Sequence, residues 1–299
     1  MHVMLTGSTG LVGTALTPVL ADQGHQVRRL CREPSGEAQA THWNPADGTF
    51  APGAFDGIDA VVHLAGESIA SGRWTAARKA RIRDSRVDGT RRLCEAMAAL
   101  ESPPTVLVAA SALGYYGDRA DEMLEESSPP GSGFLPTVCQ EWEDAAEPAR
   151  RRGIRVVHLR IGLVLSTRGG ALAQMLLPFR FGLGGVLGSG DQFMSWITLD
   201  DLTGIALRAL TDDRIHGPVN AVTPHPVTNR EFTKTLGKVL RRPTVVPVPA
   251  FAPRLALGEM ADALLFASTR IDPAVLRKAQ FEFAHPNLEG ALRHLLEVA

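Results

Sequence analysis

The run Thr6-Gly7-Ser8-Thr9-Gly10-Leu11-Val12-Gly13, entered directly from the apolar stretch at residues 1–5, constrains this chain more than any other segment. A short strand that opens through G-x-x-G-x-x-G into a helix leaves few alternatives. The first glycine permits a tight turn, the second lets backbone approach an anion, and the third lets the helix pack closely on the strand. The helix that starts there points its free N–H groups and the positive end of its dipole at the loop, which suits a phosphate. The spacing therefore predicts the pyrophosphate-binding start of a dinucleotide fold.

A glycine triplet alone is weak evidence, and the flanking pattern decides. Residues 14–21 carry apolar side chains at helical spacing and stop at Gly24-His25; residues 26–31 read as a second strand. That is a βαβ start of about 30 residues. Pro18 falls inside the predicted helix, where it removes a hydrogen bond. Strand and helix patterns then alternate: strand at 59–66, helix at 78–100, strand at 105–111, helix at 141–152, strand at 153–160. Such alternation predicts an α/β fold, a Rossmann-type doubly wound parallel sheet. Ligands bind beyond the carboxyl ends of its strands, so residues 7–13, 64–67, 111–117 and 162–165 are expected to converge.

Beyond residue 165 the texture changes to glycine-rich (Gly182, Gly184, Gly185, Gly188, Gly190) and then proline-rich (243–253) segments. The division expected is a nucleotide-binding domain over 1–165, rejoined by about 196–222, and a smaller C-terminal α+β substrate-side lobe over 166–299. Thr228-Asn229-Arg230-Glu231 fits a capping box. Asp200-Asp201 reads as the cap of a helix through Leu210, and residues 255–266 as a core helix.

Composition narrows the class. A formal net charge of −1 gives no basis for a nucleic-acid or membrane-surface partner. No apolar run approaches the roughly 20 residues a membrane span needs. Cys31, Cys94 and Cys139 lack metal-type spacing and argue for a reduced compartment. The amino end reads as a first strand rather than a leader, so a cytoplasmic protein is expected. Cys139 reads as a packed thiol. His158 and His216 have no i, i+4 partner, and no metal is expected. A small molecule is the expected partner; a homodimer is left open.

The chain resembles the extended short-chain dehydrogenase/reductases, the sugar-nucleotide epimerase-like proteins. Within them it is most similar to the atypical "epimerase family protein" branch, sometimes labelled cell-division-inhibitor-like. The resemblance rests on residues 7–13, Leu64-Ala65-Gly66-Glu67, Arg73-Trp74, Ser85-Arg86, Gly89-Thr90 and residues 111–117. It extends through Cys139-x-x-Trp142-Glu143, residues 179–190, Ser195-Trp196-Ile197, Glu259-Met260 and Phe283-x-x-Pro286-x-Leu288. The last of these resembles that branch's C-terminal segment of unknown function. The resemblance implies a nicotinamide dinucleotide held by Gly7, Thr9, Gly10, Leu11, Val12 and Gly13. It also implies Leu64, Ala65, Gly66 and Glu67 beside the nucleotide, Arg86 in the run before Gly89-Thr90, and Leu163 and Val164 at the nicotinamide end. Arg86 can equally be a helix-surface residue, and Leu163 and Val164 can be core.

NAD-preferring folds place an acid at the end of the second strand. Here Cys31 stands there and Arg32 follows, and an arginine matches a 2′-phosphate with paired, charge-assisted hydrogen bonds. NADP(H) is therefore expected over NAD(H); the alternative leaves Arg32 solvated and Glu33 on the ribose.

Most members of the wider group use a Tyr-x-x-x-Lys pair, in which the lysine lowers the tyrosine's pKa and holds the nicotinamide ribose. The only tyrosines here are Tyr115 and Tyr116, followed four residues on by Arg119 and Ala120, and no lysine lies between Lys79 and Lys234. Anchoring on Glu143 puts Leu135 and Cys139 at the dyad positions, and aligning the Tyr116-Gly117 pair puts Ala112 at the usual serine, with Ser111 one residue earlier. Two readings follow: an oxidoreductase or epimerase-like enzyme working on a small carbonyl or sugar-type substrate through Tyr116, Tyr115, Ser111 or Glu67, or a non-catalytic redox sensor that binds NADP(H).

Overall fold

A computed structural model describes residues 1–33 and 40–298. The strands in chain order are β1 (His2–Thr6), β2 (Gln26–Cys31), β3 (Ala40–Asn44), β4 (Thr49–Phe50), β5 (Ala60–His63), β6 (Val106–Ala112), β7 (Met123–Leu124), β8 (Arg155–Ile161), β9 (Leu163–Leu165), β10 (Phe193–Met194), β11 (Trp196–Thr198), β12 (Gly217–Ala221), β13 (Val227–Thr228) and β14 (Arg270–Ile271). The helices are α1 (Leu11–Asp22), α2 (Ala76–Ala98), α3 (Phe134–Asp144), α4 (Glu147–Arg151), α5 (Gly170–Arg180), α6 (Leu199–Thr211), α7 (Asn229–Leu240), α8 (Phe251–Leu257), the single turn α9 (Glu259–Ala261), α10 (Ala274–Lys278) and α11 (Leu288–Leu295).

Eight strands form the main sheet in the order β12-β8-β6-β5-β1-β2-β3-β4. Neighbours run parallel except β4, which pairs antiparallel with β3 at the edge. From β1 the chain moves to β2 on one side and later returns to β5 on the other, so the topological switch point lies between β1 and β5. In register, Thr6 stands between Leu30 and His63. The central strands are buried on both faces: β5 is wholly buried, as near-continuous apolar runs in parallel sheets require.

One face is covered by α1 and α6, with Leu16, Leu20, Leu202 and Ile205 in a core that also takes in Leu276 of α10. The other is covered by α2 and α4, through Leu93, Met97, Ala146 and Ala149. A third core, around Leu172, Phe232, Leu236, Leu292 and Trp196, holds α5, α7 and α11 together. Each fully buried Leu or Phe here contributes roughly 1.5–3 kcal/mol.

Several local expectations are met and others corrected. The capping box at Thr228 and Glu231 forms as expected. Helix α1 runs unbroken through Pro18, which sits on its solvent face. The helix expected at 141–152 is two helices, because Pro148 in the first turn of α4 cannot donate back into α3. The cap of α6 is Thr198 rather than the Asp pair; Thr198 accepts from the Asp201 N–H. The core helix expected at 255–266 is helical but interrupted: Gly258 breaks it at φ +62°, and a wider-wound turn follows over Asp262–Phe266. Met260 and Ala261 are buried, but Phe251 and Leu255 are exposed.

Residue 201 does something the sequence concealed. The buried Asp201 carboxylate accepts the N–H groups of Ala284 (2.7 Å) and His285 (3.1 Å), pinning the C-terminal segment to the start of α6. Ser195 makes a second tie: its hydroxyl donates to the Thr269 carbonyl and accepts the Ile271 N–H, while its own carbonyl accepts the Leu163 N–H. Met194 and Phe193 pair with β13, and β14 pairs with β7. Together with Leu276 and Ala279 in the core beside α1 and α6, these ties hold the C-terminal segment against the body of the protein. Among the described residues no helix is long and apolar enough to cross a membrane.

Candidate active site

The glycine loop leaves β1 with no room to spare. Gly7 adopts φ +69°, and a Cβ there would stand 2.7 Å from the Leu64 carbonyl carbon and oxygen. A Cβ on Gly13 would stand 2.2 Å from the Gly7 oxygen. Gly10 donates its N–H to the Gly7 carbonyl at 3.0 Å and ends as the extended N-cap of α1, with no side-chain cap. The N–H groups of Leu11, Val12 and Gly13 therefore have no intrahelical acceptor. They open toward the crevice with no acidic side chain in the first turn. This is a cradle shaped for an anion.

A buried polar chain fixes the opposite wall. The Thr6 hydroxyl accepts the N–H groups of Leu64 and Ala65 at 3.1 and 3.2 Å, so its own proton goes to His63 Nδ1 at 2.7 Å. His63 Nε2 then donates to Thr90, which also receives the Trp142 indole N–H. Burial pushes the His63 pKa down to about 4, which keeps the ring neutral and this donor pattern intact. Leu64 and Ala65 are thereby held against the glycine loop. At the end of β2, Cys31 lies 3.9 Å from the Ser8 hydroxyl, and the exposed Arg32 follows beside the loop; Glu33 is exposed as well.

Gly66 and Glu67 extend past β5 toward α2. Glu67 pairs with Arg78 at 2.8 Å and donates its N–H to Ser85. The Arg86 guanidinium donates to the carbonyls of Glu67 and Ile82, at 2.9 and 3.1 Å, and lies 5.0 Å from the centre of the Trp142 ring. Facing it on α3 are the dyad-position residues. Leu135 and Cys139 both abut Gly114, with the Leu135 Cβ 3.2 Å and the Cys139 sulfur 3.6 Å from where a glycine Cβ would stand. Burial pushes the Cys139 thiol up to about 12, so it is a neutral, packed group.

The structure separates the sequence-derived catalytic candidates. Tyr116, expected at the substrate, is 0% exposed: its hydroxyl donates to Asn220 (2.7 Å) and accepts from Arg160 (2.9 Å). Burial raises its pKa to about 12. Ser111 is buried too and donates to Glu143 at 2.7 Å. Glu143 in turn holds Arg160 through a two-pronged contact of 2.8 Å on each oxygen. Burial opposes both charges, yet their mutual hydrogen bonds lower the Glu143 pKa and raise that of Arg160. Neither Tyr116 nor Ser111 can offer its hydroxyl to a substrate without dismantling this buried network. Tyr115 is half-buried, its ring 3.5 Å from the Arg160 guanidinium. Leu163 and Val164 line β9 beside β11.

Across the crevice, Lys79 pairs with Glu259 and lies over the Phe134 ring, and Trp74 stacks edge-on against Phe134. Trp74 and Glu259 both stand among the motifs of the resemblance, but their meeting through Lys79 and Phe134 has no local signature, because charge pairs of high separation leave none. Elsewhere, Asp200, His285 and His294 gather three metal-type donors. Their two rings stack at 4.1 Å and 23°, so the ring lone pairs lie in two nearly parallel planes, and His294 Nε2 already stands 3.1 Å from the Asp200 carboxylate.

An eight-stranded mostly parallel sheet with a glycine cradle at its switch point defines a Rossmann-type nucleotide-binding protein. The chain belongs to the NAD dependent epimerase/dehydratase family, whose match covers residues 3–221; a domain of unknown function, DUF1731, matches residues 248–295. It is 43% identical over 290 residues to an epimerase family protein of Mycobacterium bovis, covering 97% of this chain and 96% of that one. It is 35% identical to the human epimerase family protein SDR39U1, covering 99% and 100%. The crystal structure of that human protein (isoform 2) with NADPH superposes with a TM-score of 0.91 at 34% identity, covering 99% of each chain. The family assignment read from the sequence motifs is thus confirmed.

Proposed function

We propose that this protein binds NADP(H) across the β1–β5 crevice and acts on a small carbonyl or sugar-type substrate without a Tyr-x-x-x-Lys pair. The observation that carries the reading is the glycine cradle, in which backbone fills the space a Cβ at Gly7 or Gly13 would need. The crystal structure of the human relative with NADPH supports the choice of nucleotide. When bound, the nicotinamide supplies hydride chemistry. The chain's own residues do the rest. Leu11, Val12 and Gly13 offer N–H groups to the diphosphate, and Thr9 and Gly10 shape the approach. Arg32 takes the 2′-phosphate. Leu64, Ala65 and Gly66 flank the nucleotide, and Leu163 and Val164 exclude water at the nicotinamide end.

With Ser111 and Tyr116 committed to the Glu143–Arg160 network, proton exchange falls to Glu67 or Tyr115. Glu67 remains one-third exposed although paired with Arg78. Calorimetric titration with NADPH and NADH tests the nucleotide. NADPH should bind at least about tenfold tighter, and Arg32→Ala should remove that preference, as expected for loss of charge-assisted hydrogen bonds. Equal or tighter NADH binding overturns the assignment of Arg32.

A second reading is favoured by the same locked hydroxyls: a sensor that binds NADP(H) without turnover. Steady oxidation of NADPH with a panel of carbonyl compounds separates the two. Turnover that falls in Glu67→Gln supports the enzyme; binding with no turnover on any compound supports the sensor.

A further inference from the structure

Of the ten large apolar side chains exposed among the described residues, seven fall within residues 177–183 and 245–255. Single exposed apolar residues are ordinary, but a concentration of them marks an interaction surface. Leu177 and Phe181 (65% and 73% exposed) stand one turn apart at the end of α5. Phe251 and Leu255 (70% and 77%) stand one turn apart on α8, a helix with no buried residue. Leu183, Val245 and Val246 are carried by the two loops between these helices.

The two loops lie side by side. The Arg242 guanidinium donates to the Arg180 carbonyl at 2.9 Å, and a Cβ on Gly182 would stand 3.6 Å from Pro243. Val248 donates its N–H to the Val186 carbonyl and accepts the Gly188 N–H, each at 3.0 Å. Segments far apart in the chain thus form one exposed apolar face.

The charge on this face has one sign. Residues 177–188 and 232–258 carry Arg180, Lys234, Lys238, Arg241, Arg242 and Arg254, and no Asp or Glu. Lys238 and Arg254 are paired, with Glu289 and Asp262. The other four are exposed and have no carboxylate partner among the described residues; Lys234 and Arg242 reach only backbone carbonyls. The whole-chain charge of −1 hides this, because acids elsewhere cancel it.

Exposed apolar side chains beside unpaired cations match an anionic lipid surface, whose acyl boundary takes the former and whose headgroups take the latter. A second copy of this chain fits worse, because a two-fold contact would set the unpaired cations against their own copies. We propose that this face rests on an anionic bilayer. Phe181, Leu183, Phe251 and Leu255 enter the boundary between headgroups and acyl chains, and Arg180, Lys234, Arg241 and Arg242 meet the lipid anions. The contact lies on the membrane and does not span it. It is independent of the nucleotide reading, since none of these residues belongs to the glycine cradle.

Co-sedimentation of the full chain with vesicles tests this, using phosphatidylcholine alone and phosphatidylcholine mixed with phosphatidylserine. Wild type should sediment with the mixed vesicles and stay in the supernatant with phosphatidylcholine alone. Added salt should release it, because exposed charges are screened. Phe251→Ser combined with Leu255→Ser should weaken partition at least about tenfold, as two apolar side chains no longer enter the boundary. Arg180→Gln combined with Arg241→Gln should weaken it by about tenfold or more, at roughly fivefold per charge. All four side chains are exposed, so the urea midpoint and NADPH affinity of both variants should match wild type. Absence of binding to the mixed vesicles overturns the proposal. So does equal binding to both vesicle types, or a double-serine variant that binds as wild type does. Sedimentation velocity without lipid is the remaining arm: a dimer that the double-serine variant dissociates assigns the face to a second copy and overturns the lipid assignment.

Discussion

Replacing Gly13 by alanine tests the cradle most directly, because its effect can be worked from a distance. The added Cβ would stand 2.2 Å from the Gly7 carbonyl oxygen and 2.7 Å from the Ser8 Cα. Contacts below 3.0 Å are essentially never found, so the oxygen contact alone demands about 0.8 Å of displacement, and both obstructing atoms are backbone. Gly7 cannot retreat, because its own Cβ position is closed by the Leu64 backbone at 2.7 Å. The first turn of α1 must therefore move off the loop, carrying the N–H groups of Leu11, Val12 and Gly13 with it. Overpacking of this kind costs about 1–3 kcal/mol of stability, and misaligned donors should weaken NADPH by at least about tenfold. Gly10→Ala is the internal control for stability, because its Cβ meets the Gly7 oxygen at 3.3 Å, a contact that small adjustments relieve. Urea unfolding gives the first quantity and calorimetry the second. If Gly13→Ala binds NADPH as wild type does, or is no less stable than Gly10→Ala, the steric reasoning is wrong.

Three further outcomes follow from the buried polar groups. Glu143→Gln leaves the Arg160 charge buried without its partner and should cost about 3–5 kcal/mol, read from the shift in urea midpoint; a change below 1 kcal/mol would mean that water reaches Arg160. Tyr116→Phe removes one donor to Asn220 and one acceptor from Arg160, and should lower stability by about 1–3 kcal/mol; if NADPH-dependent turnover is found, the substitution should change it far less than Glu67→Gln. His63 and His158 are both buried and depressed to about 4, so the unfolded chain binds protons first as pH falls. Stability is full above the unfolded value of about 6.5. It declines as pH drops through 6.5 toward 4. A thermal midpoint that stays flat between pH 7 and pH 4.5 would show that these rings are not neutral in the folded protein.

How much of this was legible beforehand differs by element. The glycine spacing, the alternating strands and the capping box at Thr228 are local patterns, and each maps onto the structure because short-range chemistry decides them. The empty dyad positions could also be read, since a missing lysine is visible in the sequence alone. Tyr116 is the opposite case. Its place just past a strand's carboxyl end points to a substrate, but its partners Asn220 and Arg160 lie far along the chain, and nothing in the local sequence announces them. Asp201 shows the same limit. A carboxylate in a first helical turn looks like a cap, whereas here it fastens residues 284 and 285. The exposed segment around Phe251 and Leu255 has the apolar content of a core helix; only the break at Gly258 and the tertiary packing decide otherwise.

The return of β14 and α10 to the body of the protein bears on how it is made. Leu276 completes the apolar layer between α1, α6 and the sheet, and β14 supplies β7 with its partner. A nascent chain must therefore expose an unfinished hydrophobic seam until residues 270–279 leave the ribosome. During that interval, chaperones and neighbouring polypeptides compete for a surface that the mature molecule hides.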